Sequence, residues 1–165
     1  MAILIAQLIR TFYDECWNKW NDTLVDDTLD TAFVSRGSLG QQATGLDGWR
    51  GYRDRIRHGS PDLHHELVDL ICEDSRAAAR LRYTGTHTGT LLGMPASGRP
   101  FDYGGAAFFT ADHRRLTSVW VVGELDEGDE VVIRRSRRAI RLMQLADNSF
   151  LEALRRKLQW RGTYL

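Results

Sequence analysis

The chain has 165 residues, enough for one domain with a substantial core. Its 22 basic residues balance 22 acidic ones, so no overall charge favours nucleic acid or an anionic membrane as partner. Although 42% of positions are apolar, no run approaches the roughly 20 residues of a spanning helix, which leaves a cytoplasmic protein as the expectation.

The opening "MAILIAQLIRTFYDE" has no basic segment before its apolar run, and Gln7 and Arg10 interrupt that run, so it reads as a helix rather than a signal peptide. Over residues 2–20, Ile5, Leu8, Ile9, Phe12, Cys16, Trp17 and Trp20 recur at helical spacing and predict an amphipathic helix with an aromatic stripe. A short helix over 24–29 and a strand over 31–37 follow. "GLDGWRGYRDRIRHGSP" predicts a third helix, stopped by Gly59 and Pro61. Four strands come next, over 63–72, 76–93, 99–111 and 115–125, joined by "EDS", "GMPASG" and "DHR". Helices followed by strands with short connections predict an α+β domain, with an antiparallel sheet and helices on one face. Beyond Glu127, apolar residues at three-to-four spacing from Ile133 to Leu158 suggest one or two terminal helices. The arginines at 134, 135, 137, 138 and 141 are expected on a solvated face of that extension. The whole of 1–165 is taken as one domain.

Few groups are placed for chemistry. Cys16 and Cys72 have neither metal-ligand nor disulfide-framework spacing and are expected as buried thiols. No His/Cys/Asp cluster has metal spacing, and no phosphate or dinucleotide loop is present, so neither metal nor cofactor is expected. Alternation along the last strand puts Trp120, Val122 and Glu124 on one face. If that face is inward, poor hydration raises the Glu124 carboxyl pKa toward the range of a general acid or base; otherwise Glu124 ends the strand in water. In "YTGTHTGT", Leu81, Tyr83, Gly85 and His87 share a face. The glycines mark either a bend around a pocket into which His87 points or a kinked hairpin and nothing more. His64 and His65 face opposite ways, and His65, on the side of Leu63 and Leu67, is the better pocket candidate.

Residues 61–109, through "GTHTG" and "GMPASGR", and then "RLTSVWVVGEL", resemble the SnoaL-like polyketide cyclases. "LIRTFYDECWN" and "GLDGWRGYRDRIR" are similar to that family's first and third helices, and the likeness covers about 5–125. The resemblance implies a nuclear-transport-factor-like cone: a curved antiparallel sheet whose N-terminal helices close an apolar pocket. It also implies a homodimer through the open sheet face, which would carry Arg80, Arg82 and Phe108. The implied chemistry is cofactor-independent ring closure of a polyketide-type substrate by acid-base catalysis. Glu124 then stands where the family usually has aspartate, reaching about 1.5 Å further, and His87 matches the family histidine that orients the carboxylate. Tyr13 matches a pocket-lining aromatic position. Trp17, Trp49, Met94, Tyr103 and Trp120 would bind an apolar polycyclic ligand beside His65. Dehydration, hydroxylase-type chemistry, a shape-driven pericyclic closure and non-catalytic binding on the same fold remain open.

Overall fold

The computed structural model describes residues 2–38, 40–112 and 114–123. The proposed helical extension over 127–165 and Glu124 therefore lie outside the described residues.

The aromatic stripe does form a helix, in two windings. Helix α1 (Ala2–Thr11) runs into a π-helical turn over Phe12–Trp17. There the Asn18 amide donates to the Tyr13 carbonyl, five residues back, at 2.9 Å. Ile5, Ile9, Phe12, Tyr13, Cys16 and Trp17 are all buried, as the spacing predicts. Helix α2 is short (Val25–Thr28), and α3 spans Gly45–Gly59.

Six strands follow this scheme: β1 (Leu29–Arg36), β2 (Gln42–Thr44), β3 (His64–Glu73), β4 (Arg76–Thr86), β5 (Pro100–Ala111) and β6 (Leu116–Gly123). They form one sheet in the order β2-β1-β6-β5-β4-β3. All neighbours are antiparallel except β1 and β6, which run parallel. The α+β class with a curved sheet is thus borne out, with two departures. The three-residue β2 is too short to leave a pattern in the sequence. The parallel pairing of β1 with β6 joins strands far apart in the chain, which local pattern cannot report.

Register irregularities at Leu67/Asp69 in β3, Leu29/Val34 in β1 and Thr110/Ala111 in β5 bend the sheet. Its inner face carries Leu81 and Tyr83 on β4, Ala107 and Phe109 on β5, and Val119 on β6, all buried. Phe12 fills the space beneath, within 5.1–6.3 Å (ring centroids) of Tyr13, Trp17, Phe33, Trp49 and Phe109.

One expected face is reversed. The family resemblance implies Trp120 in the pocket, and Phe108 is expected on the outer face. The register pairs Phe108 with Trp120 and Ala106 with Val122, while Phe109 pairs with Val119 and Ala107 with Val121. Directly opposed residues share a face, so Trp120 and Val122 lie outside with Phe108. The Phe108 and Trp120 rings are 6.0 Å apart, and Val122 is 40% exposed. A phase error of one residue accounts for the reversal.

The glycine-rich stretch also resolves differently from a long strand over 76–93. Strand β4 stops at Thr86, whose amide and hydroxyl donate to Asp62 at 2.8 and 2.7 Å. The chain then docks on the end of α3: the Thr88 and Gly89 amides both donate to the Gly59 carbonyl at 3.0 Å. A Cβ on Gly89 would collide with the His58 carbonyl oxygen, and one on Gly59 would lie 2.8 Å from Leu91. These two glycines permit that close approach.

Candidate functional site

Between the helices and the inner sheet face lies a cavity of about 110 Å³. Tyr13 and Trp17 of the π-helical turn form one wall, and Trp49, Tyr52 and Ile56 of α3 form another. The sheet contributes His65, Tyr83, Phe101, Tyr103, Val119 and Val121. Leu91 and Leu92, from the β4–β5 connection, Ser35 and Arg36 at the end of β1, Gly37 and Ser38 after it, and Phe12, Ser60 and Leu63 complete the lining. The space is smaller than the roughly 150 Å³ cavity that holds benzene. It is below the roughly 300–1,000 Å³ of sites that enclose larger ligands.

Polar groups in the lining include Ser35, Arg36, Ser38 and Ser60 beside the tyrosines and His65. Tyr13 and Tyr83 are 2% and 6% exposed, and neither hydroxyl has a hydrogen-bond partner among the described residues. The Trp49 indole N–H is unpaired in the same way. Burial raises the pKa of Tyr13 and Tyr83 well above the ordinary phenol value and lifts Tyr52 and Tyr103 to about 12. All four therefore keep their protons at neutral pH. His65 is walled in by Trp17, Tyr83 and Tyr13, with ring centroids at 4.9, 5.2 and 5.3 Å. That burial, with a smaller contribution from His64, depresses its pKa to about 3, so the imidazole is neutral. Behind the wall, the buried Arg53 guanidinium lies 5.1 Å from the Trp49 ring and donates to Asp22 at 2.8 Å, fixing the indole in place.

Five of the residues singled out from the sequence thus line one cavity: Tyr13, Trp17, Trp49, His65 and Tyr103. Four do not. Trp120 is on the opposite sheet face. Met94 sits half-buried in the β4–β5 connection, its backbone paired with that of Leu91. His87 lies beyond the end of β4; its backbone pairs with Gly98 and Arg99, and its Nδ1 is 3.3 Å from the Ser97 hydroxyl. Its Nε2 is buried without a partner among the described residues. Glu124 lies outside those residues, and no Asp or Glu lines the cavity among them. No three His, Cys, Asp or Glu side chains come together as a metal-binding set there either. Sequence reasoning passed over Tyr83, although it shares the inward phase of Leu81. It also passed over Asn18, whose role depends on a contact 47 residues away.

The family model for SnoaL-like polyketide cyclases matches residues 7–134. The chain belongs to this family. No curated protein matches it. Among solved structures, a candidate SnoaL-like polyketide cyclase from Jannaschia sp. CCS1 superposes with a TM-score of 0.69 at 20% identity, covering 74% of this chain and 87% of that one. TsrD from Streptomyces laurentii gives 0.65 at 27% identity, over 75% and 90%. A protein with a ketosteroid-isomerase-like fold from Catenulispora acidiphila, solved with trimethylamine, gives 0.63 at 14% identity, over 79% and 92%. The fold of this SnoaL-like family member is therefore that of the ketosteroid-isomerase-like cones.

Proposed function

We propose that the chain closes a ring in a polyketide-type small molecule by acid-base catalysis, using its own side chains. The observation that supports this best is the enclosed aromatic cavity between the helices and the inner sheet face, walled by Tyr13, Trp17, Trp49, Tyr83 and Tyr103. In the reaction a base takes a proton α to a carbonyl, the resulting carbanion adds to a second carbonyl carbon, and the new alkoxide recovers a proton. Atoms balance as an isomerisation. We assign the base to Glu124 and its orientation to His87, on the family resemblance. A polycyclic substrate exceeds the cavity of about 110 Å³, so only part of it would enter.

Glu124→Gln keeps the shape and removes the base. Turnover of an anthracycline-type polyketide ester should fall by roughly 10²-fold or more while affinity holds. Equal turnover by the variant would overturn the assignment. A second reading, ligand binding without catalysis, is favoured by the lack of a carboxylate among the described lining residues. Under it, ligand affinity persists with no turnover in either protein. The homodimer is also a proposal: Arg80, Arg82 and Phe108 share the outer sheet face, and a monomer by light scattering at tens of micromolar would count against it.

A further inference from the structure

We propose that residues 90–96 form a flap, and that the Leu92 side chain is the gate by which the helix–sheet cavity opens to a depression beside α3. The need for a gate rests on the reading of the cavity as a ligand site. A space of about 110 Å³ admits nothing the size of a ring unless part of its lining moves.

Most of the lining is held in place. Tyr13, Trp17 and Trp49 are buried, and the lining residues of β4, β5 and β6 sit in hydrogen-bonded ladders. Gly37 is pinned as well: its amide donates to the Gln41 carbonyl at 2.8 Å, and a Cβ there would lie 2.6 Å from the Tyr52 hydroxyl oxygen. Leu91 and Leu92 differ. The chain just before them is clasped to the segment that follows α3. The Ser60 hydroxyl donates to the Thr86 carbonyl at 2.6 Å, Asp62 accepts from the Thr86 amide and hydroxyl, and the Gly59 carbonyl accepts from Thr88 and Gly89. The returning arm is fixed where the Gly98 amide donates to the His87 carbonyl at 2.9 Å and the His87 amide to the Arg99 carbonyl at 3.0 Å. Between these anchors, residues 90–96 make no hydrogen bond to the rest of the described residues; Leu91 and Met94 bond only to each other. A segment so weakly tied opens at low cost while its anchors stay shut.

Strain at the tip favours that opening. Leu92 has a φ of 50° and Gly93 one of 86°. Two successive positive values suit Asn-Gly in a two-residue hairpin turn; a leucine is strained there and stays only where its surroundings enforce it. On one side Leu92 lines the cavity. On the other it lines a depression with Thr90, Gly93 and the α3 residues Asp54, Arg55 and His58. The same residue thus stands between the two spaces. A Cβ on Gly93 or Gly98 would meet nothing within 4 Å, so the flap is uncovered at both positions among the described residues. Lifting Leu92 joins cavity to depression and frees its backbone, with Gly98, at a φ of 68°, as the pivot of the returning arm.

The Trp49 indole proton reports on the gate without any ligand. Trp49 lines the cavity, and its N–H is buried without a partner among the described residues, so exchange with solvent requires water to enter. Read by NMR, that exchange should be about tenfold faster in Leu92→Ala. A disulfide joining Gly59→Cys to Leu91→Cys, in a Cys72→Ser background, would hold the flap down. A Cβ at position 59 would lie 2.8 Å from the Leu91 Cβ, and a retreat of about 1 Å gives the usual disulfide separation. The oxidised form should exchange the Trp49 proton about tenfold more slowly than the reduced form of the same protein. In the unmodified protein, methyl relaxation dispersion should show motion at Leu91 and Leu92 and none at Thr86 and Thr88. Equal Trp49 exchange in the oxidised and reduced forms overturns the gate and leaves the catalytic proposal standing. So does motion of Thr86 and Thr88 together with Leu92. Slower exchange in the oxidised form, with Glu124→Gln turning over like the parent, supports the gate and sinks only the catalytic base.

Discussion

The two faces of the sheet treat polar atoms in opposite ways. Outside, Arg82 on β4 makes a two-pronged pair with Asp102 on β5 and lies 3.6 Å from Glu66 on β3. The Thr110 hydroxyl is within 2.8 Å of Thr117 and 2.7 Å of Ser118. Inside, one residue further along β4, the Tyr83 hydroxyl is buried and unpaired among the described residues. Neighbouring residues on one strand thus differ in whether their hydrogen bonds are closed by the protein. The outer pairs are closed by folding, whereas the inner face keeps a buried hydroxyl that no described residue satisfies.

Truncating the inner aromatic cluster should give the largest effect. Phe12→Ala should destabilise the protein by about 3–5 kcal/mol in urea unfolding, because Phe12 contacts five other rings and the site cannot collapse. A cost below about 1 kcal/mol would mean that the inner face is loosely packed. His65 supplies the next effect, through pH. Its folded pKa of about 3 lies below the unfolded value of 6.5, so the unfolded chain takes up the proton first. The stability it provides is complete above pH 6.5 and is lost as pH falls toward 3, reaching roughly 2–3 kcal/mol by pH 4.5. His65→Leu should flatten that limb between pH 6.5 and 4.5, above the range where carboxylates titrate. An unchanged limb would place the acid sensitivity elsewhere.

Tyr83→Phe should have a smaller effect of opposite sign. Removing a buried hydroxyl that no protein atom satisfies should raise stability by about 1 kcal/mol, read from the urea midpoint. A loss instead would show that the hydroxyl is paired in solution. The smallest effect belongs to the outer face. Arg82→Ala should shift the midpoint less than Tyr83→Phe does, and high salt should remove the shift, since the pair is solvent-exposed.

Much of this arrangement was legible in the sequence, where periodicity is strict. The stripe from Ile5 to Trp17 reads directly as a buried helical face, and β4 alternates so regularly that Ala77, Ala79, Leu81 and Tyr83 are all buried. Strand β6 was placed, but its phase was not, because the register irregularity at Thr110/Ala111 lies at the start of the β5–β6 ladder and no residue type announces it. The glycines of "GTHTG" read as a bend or a kinked hairpin, whereas in the structure Gly89 permits close approach to the end of α3, which no local pattern reports. His65 was marked as a pocket residue from alternation alone. What fixes its backbone, the side-chain amide of Asn18, is a pairing between segments 47 residues apart, and one-dimensional spacing does not encode it.

The wide turn at Phe12–Trp17 has a consequence for how the chain tolerates changes in length. A π-helical turn is an α-helix holding one residue more than its winding needs, and the residues on either side keep the same phase. Deleting the exposed Asp14 would let the Asn18 amide reach the Tyr13 carbonyl in ordinary α-helical fashion, with Ile5 and Ile9 still on the core and Asn18 still beside β3. The same one-residue deletion within β4 would send every later side chain of the strand to the opposite face. One wall of the cavity can therefore lose a residue and keep its alignment, while the facing wall cannot.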